Sequence, residues 1–295
     1  MLSVFIISND FFEISKCLIV DVDSFLKVFF KSGSVFIMDL GIKGKKAIVC
    51  ASSRGLGYGC AVALAQAGVD LTICARTSTE LDKAEKKLID YGVQVTSVCC
   101  DVTSETGRDT LLKACQKPDI LVNNAGGPPP GLWSDWESED FIKAVNANMI
   151  TPISLIKAVL PYMISKGWGR IVNITSQAVK APVPALGLSN SARAGLTGYV
   201  AGTSRQVAEY GVTINNLLPG MHDTKRLADL DLALSKEKGI SQEEARTGRM
   251  SSIPVGRYGN IDEFGKACAF ICSQHSGFMV GQNILLDGGA VNSTF

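Results

Sequence analysis

Short, nearly continuous apolar runs alternate along this chain with longer stretches whose apolar residues return every three or four positions. The first apolar run, from Lys46, leads into a Gly-rich turn, and an Ala-rich helical pattern follows over 60–67. Residues 69–75 predict a strand, and 78–91 a charged helix with Leu81, Ala84 and Leu88 on one face. The same alternation gives strands over 93–99, 119–123, 170–175, 212–218 and 283–286. It gives helices over 104–115, 138–166, 188–210 and 261–273. Gly126-Gly-Pro-Pro-Pro-Gly131 forbids regular structure, and a polar region over 221–252 interrupts the alternation. Strands that are apolar on both faces need cover on both sides, which means helices above and below a parallel sheet. The pattern therefore predicts an α/β fold, a doubly wound parallel sheet, Rossmann-like and forming a single domain. Its ligand site is expected beyond the C-terminal ends of the strands.

Composition narrows the picture. With 295 residues and a formal charge of +1, the chain has length for one large core and no charge excess that would attract nucleic acid or an acidic membrane surface. Nine cysteines are scattered without zinc spacing beside only two histidines, so reduced thiols, a cytoplasmic setting and no metal site are expected. Residues 1–37 are rich in Phe, Ile and Val, but Asp10, Glu13, Lys16, Asp21, Asp23 and Lys27 break every run. None approaches the ~20 residues of a membrane span, and no secretory signal is readable. Met38 is the expected native start, with 1–37 an extension outside the core and 38–295 the NAD(P)-binding domain; an extra strand or helix on the domain surface is the alternative.

The turn Cys50-Ala-Ser-Ser-Arg-Gly-Leu-Gly57 stands between a strand and a helix. Small residues there let a pyrophosphate approach the unpaired N–H groups of the helix N-terminus. This turn, with Cys100-Asp-Val102, Asn123-Asn-Ala-Gly126, Asn173-Ile-Thr-Ser176, Pro219-Gly220 and Asp287-Gly-Gly289, resembles the short-chain dehydrogenase/reductases in order and spacing, over about residues 40–290. Within that family the likeness is to 3-oxoacyl-[acyl-carrier-protein] reductases. The resemblance implies that Ala51, Ser52, Ser53, Arg54, Gly55, Leu56 and Gly57 line the pyrophosphate and adenosine ribose, Ala51 standing where the family has its first glycine. It implies Asp101 and Val102 at the adenine, Asn123, Ala125 and Gly126 at the adenosine ribose, and Pro219, Gly220, Met221 and Thr224 at the nicotinamide. Arg76 follows the second strand, where NAD-preferring members place an acid. With Arg54 it offers two guanidinium groups to a 2′-phosphate, so NADP (NADPH) is the expected cofactor.

The catalytic half departs from the family pattern. Asn148 and Ser176 match the Asn and Ser of the tetrad, but the Tyr and Lys positions hold Ser189 and Arg193. An aliphatic hydroxyl is a far weaker acid than a phenol, and a guanidinium holds its proton too tightly to relay it. The four-residue spacing still points both side chains from one helical face, and Arg193 can still hold the nicotinamide ribose. His222, just past Pro219-Gly220, is the candidate substitute acid, with an ordinary surface loop residue as the alternative. Trp133 and Trp136 stand either as an apolar substrate wall or as loop residues packed on the next helix. Residues 221–252 are the expected substrate lid, with Leu227, Leu230, Leu232 and Leu234 along it. Two functions stay open. One is an NADP-dependent oxidoreductase on a carbonyl or alcohol, by resemblance a 3-oxoacyl thioester; the other is a catalytically weak NADP-binding sensor or scaffold. The family also implies a homodimer or homotetramer packed through the two long helices.

Overall fold

The apolar runs form seven strands: β1 (Lys46–Val49), β2 (Asp70–Ala75), β3 (Val95–Cys99), β4 (Ile120–Asn123), β5 (Gly169–Ile174), β6 (Val212–Pro219) and β7 (Asn283–Leu286). All pair in parallel in the order β3-β2-β1-β4-β5-β6-β7, so the chain crosses over between β1 and β4. The doubly wound sheet is thus as expected. The structure, a computed structural model, describes residues 38–294, and the expected extension over 1–37 lies outside them.

Helices α1 (Gly55–Gln66), α2 (Ser78–Ile89), α3 (Glu105–Ala114), α4 (Ser138–Val145), α5 (Thr151–Lys166), α6 (Gly187–Val207), α7 (Lys225–Lys238), α8 (Gln242–Met250) and α9 (Ile261–Ile271) cover the sheet or extend beyond it. Ala47 and Val49 enter one core layer with Leu64, Leu81 and Phe264, from α1, α2 and α9. Ile48 and Leu121 enter the other with Leu111, Leu155 and Leu196, from α3, α5 and α6. This two-sided burial is why the central strands read as unbroken apolar runs. On the first layer α1 and α9 touch backbone to backbone: a Cβ on Gly265 would lie 2.2 Å from the Gly59 carbonyl oxygen.

The single helix expected over 138–166 is broken by a π-helical segment, Asn146–Ile150. Pro152 explains the break, since it has no N–H to return to the Asn148 carbonyl four residues back. The whole run Ser138–Lys166 has the length and hydropathy of a membrane span, but Leu155, Ile156, Val159 and Met163 are buried against the sheet, as in a core helix.

Four asparagines stand in register across β4, β5, β6 and β7. Asn123 Nδ2 donates to Asn173 Oδ1 (2.8 Å), Asn173 Nδ2 to Asn216 Oδ1 (3.1 Å), and Asn216 Nδ2 to Asn283 Oδ1 (2.8 Å). The ladder gives the buried amides of Asn173 and Asn216 a donor and an acceptor each, and leaves Asn123 Oδ1 without a partner.

Candidate active site

The Gly-rich turn sits at the end of β1, beside the crossover. Cys50 N–H donates to Val122 O (2.9 Å) and Ser52 N–H to Cys74 O (3.0 Å), which fixes the turn over the ends of β4 and β2. Ala51 has φ +47°, the only non-glycine in the left-handed region among the described residues. The turn has kept the shape that suits glycine and bears the strain, on the order of 1–2 kcal/mol. Gly57 is required by contact, since its Cβ would lie 2.5 Å from Ala51 O. Asn124 Nδ2 donates to the same carbonyl at 3.3 Å. Ser52 is fully buried with its hydroxyl on Val49 O (2.8 Å), so its side chain shapes the turn instead of facing a ligand, a correction to its expected role. Helix α1 opens with no side-chain cap at Arg54 and no acidic residue in its first turn. Its first N–H groups and positive dipole end are therefore available to an anion, and the residues present fit a dinucleotide's pyrophosphate.

At the end of β2, Arg76 is exposed, as is Arg54 in the turn. Burial raises the Asp101 carboxyl, but hydrogen bonds from Thr103 and the charge of Arg76 outweigh it and hold it below the ordinary range. Asp101, Val102 and Arg76 thus gather at the ends of β2 and β3. Gly220 lies across the sheet, its N–H on Leu286 O (2.8 Å).

Across the crossover, a small cavity of about 20 Å³, with room for roughly one water, is lined by Asn123, Ala125, Asn148, Thr151 and Arg193, among others. The π-helical segment carries Asn148, whose Nδ2 donates to Ala144 O at 3.3 Å. The Oδ1 atoms of Asn123 and Asn148 and the Thr151 hydroxyl are buried there without partners. Helix α6 presents Ser189 and Arg193 one turn apart, as expected. Arg193 Nε donates to Ser189 Oγ (3.2 Å) and Nη1 to Ile174 O (2.8 Å). Burial, and after it the charge of Arg226, pushes the Arg193 guanidinium down to about 10. Ser176 stands just past β5, its Oγ accepting from Ala178 N–H (3.1 Å).

His222 is not a substitute acid. It is 6 % exposed, edge-on to Phe264 at 5.1 Å, and Gly259 has no side chain because the ring fills that space. Burial lowers its pKa. The loop that seemed to offer it to solvent turns it into the α9 layer.

The polar region folds as α7 and α8 around a small apolar cluster of Leu227, Ile253 and Tyr258, joined by Met221. Thr224 caps α7, its Oγ1 accepting from Leu227 N–H (3.4 Å), and its methyl stands 3.8 Å from a Cβ placed on Gly55. Arg226 Nη2 donates to Pro128 O (3.2 Å), tying the start of α7 to the proline loop. Trp136 packs on Phe141 and over Gly187, the packing alternative, while Trp133 is 88 % exposed. Sequence reasoning missed Arg226, Asn124 and Thr151 as site residues. Only the adjacency of Arg226 to Thr224 hinted at the first.

Comparison with known proteins agrees with this geometry. A family model described as enoyl-(acyl carrier protein) reductase matches residues 50–291. The chain is 30% identical over 256 residues to 3-oxoacyl-[acyl-carrier-protein] reductase FabG of Pseudomonas aeruginosa, covering 85% of this chain and 98% of that protein. The L-sorbose reductase of Gluconobacter frateurii, solved with NADPH and L-sorbose, superposes with a TM-score of 0.83 at 25% identity, covering 87% of this chain and 100% of that one. YwfH, an NADPH-dependent reductase involved in bacilysin biosynthesis, gives 0.80 at 25% identity, covering 85% and 100%. The doubly wound parallel sheet and these likenesses converge: the chain belongs to the short-chain dehydrogenase/reductases, a family of oxidoreductases.

Proposed function

We propose that this protein is an NADP-dependent reductase of carbonyl compounds. The observation that carries the reading is the open, acid-free N-terminus of α1 beside Gly55 and Gly57, flanked by Arg54 and Arg76. Relatives that bind NADPH or reduce 3-oxoacyl groups support it. In this reading the α1 N-terminus holds the pyrophosphate, Arg54 and Arg76 the 2′-phosphate, and Asp101 and Val102 the adenine. Ala125, Gly126, Pro219, Gly220, Met221 and Thr224 border the remaining length of the dinucleotide. When bound, that cofactor supplies the hydride to the substrate carbon.

The chain's own residues then manage the oxygen. Ser189 Oγ accepts from Arg193, which leaves its own O–H to donate to a carbonyl oxygen. Arg193 places a full positive charge one turn from that hydroxyl, so negative charge developing on oxygen is stabilised. Ser189 is too weak an acid to surrender a proton, and the final proton comes from water. Asn148 lines the same cavity as Arg193.

Fluorescence titration with NADPH and NADH tests the cofactor reading. NADPH should bind at least about tenfold more tightly, and Arg76→Ala should erase most of that preference. Equal affinities for the two dinucleotides overturn it. The absence of any near-neutral acid in the cavity favours the second reading, a cofactor-binding protein of weak activity. Tight NADPH binding without oxidation across a panel of ketones, oxo acids and 3-oxoacyl thioesters selects that one.

A further inference from the structure

Three segments touch one another beside the N-terminus of α1, and one of them brings a cation that has no role so far. The Gly-rich turn is the first. The loop after β4 reaches it through Asn124, whose Nδ2 donates to Ala51 O (3.3 Å) and lies 2.7 Å from where a Gly57 Cβ would stand. The start of α7 reaches it through Thr224, whose methyl lies 3.8 Å from a Cβ placed on Gly55. Two residues on, Arg226 returns to the β4 loop. Its Nη2 donates to Pro128 O (3.2 Å), and its guanidinium takes the space of a Gly127 side chain. Residues 224–226 therefore bridge the turn and the loop between which the dinucleotide is read to lie.

Arg226 is exposed, and among the described residues its one hydrogen bond goes to a neutral carbonyl. A guanidinium has five N–H donors, so most are free for a ligand. Its charged neighbours are matched within the chain: Lys225 with Asp229, Asp223 with Arg246, and Asp231 with Arg249. Arg226 forms no ion pair among the described residues. The uncapped start of α1 and an unmatched guanidinium thus stand at one junction, and both favour an anion. The 2′-phosphate has its own arginine in Arg76 at the end of β2, and β1 separates β2 from β4 in the sheet. Arg226 follows Pro219, Gly220, Met221 and Thr224, the stretch read as bordering the nicotinamide.

We propose that Arg226 grips the nicotinamide-side phosphate of the cofactor's pyrophosphate, supplementing the N–H groups of α1. This rests on the NADP-dependent reading and deepens it. One end of the bound cofactor would then be held by the helix that opens the polar region.

The full chain provides the test. Binding of NADPH and NADH is read from nucleotide fluorescence. Calorimetry reads 2′,5′-ADP, which carries the 2′-phosphate and the adenosine-side phosphate but lacks the second. Arg226→Ala should weaken NADPH and NADH alike, by about tenfold, because both carry the phosphate it grips. The preference between them should stay, whereas Arg76→Ala should erase it. The Arg226→Ala variant should bind 2′,5′-ADP within about twofold of the natural chain, which general damage to the site would not allow. Arg226→Lys, with charge but no fork, should recover part of the loss. Gly127→Ala, which displaces the guanidinium, should weaken both dinucleotides and add little to Arg226→Ala in the double variant. Arg226→Gln serves if the alanine variant melts early. Unchanged affinity for both dinucleotides, a loss confined to NADPH, or an equal loss for 2′,5′-ADP overturns the proposal. NADPH held as tightly without Arg226 defeats this inference alone. Failure of the natural chain to bind NADPH defeats the reductase reading and this inference with it.

Discussion

His222 shows how a residue's surroundings decide its chemistry. Burial against Phe264 lowers its pKa below the ordinary 6.5, so the folded chain takes up less proton than the unfolded chain in acid. Its contribution to stability is therefore level above about pH 6.5 and falls as the pH drops below that value. The melting temperature of the natural chain should drop more between about pH 7.5 and about pH 5 than that of His222→Gln; parallel curves would mean that the ring is protonated in the fold. Its burial was not legible in the sequence, because a histidine two residues past Pro219-Gly220 reads as loop, and only the close approach of Gly259 and α9 makes the space it fills. The place of Ala51 was legible, since the resemblance puts it where the family has its first glycine, and the backbone there takes the positive φ that suits glycine.

Between elements, small residues set distances. Gly59 and Gly265 let α1 and α9 meet at their backbones, so Gly265→Ala forces a shift of main chain and should cost about 1–3 kcal/mol in urea unfolding. Gly248 on α8 has open space around it, and Gly248→Ala should instead stabilise by about 1 kcal/mol. The pair separates packing from propensity: similar losses at both positions would mean that contact at Gly59 is not the cause. Periodicity made most elements readable, since strands buried on both faces and helices with one apolar face leave unlike patterns. It missed the π-helical segment because residues 138–166 keep a continuous helical pattern, and only the donor lost at Pro152 marks the break. It also read α7 and α8 as an irregular polar stretch, since their few apolar residues serve a small cluster of their own.

Across the whole molecule, the sheet reverses its winding at the crossover between β1 and β4. The doubly wound parallel sheet was legible from the alternation of strands and helices. The tie between Arg226 and Pro128 was not, because it joins positions 98 apart in the chain that share no pattern. The asparagine ladder runs from β4 to β7. Asn173 and Asn216 are fully buried, and their amide groups are engaged on both sides. Their side-chain N–H protons can trade for deuterium only when the sheet itself comes apart, so they should persist with the slowest backbone amides in a hydrogen-exchange spectrum. Early loss of those signals would show strands separating one at a time. A slow-exchanging floor of this kind would fix the ends of β4 to β7 as one rigid platform, and the exchange spectrum would show how far that platform extends.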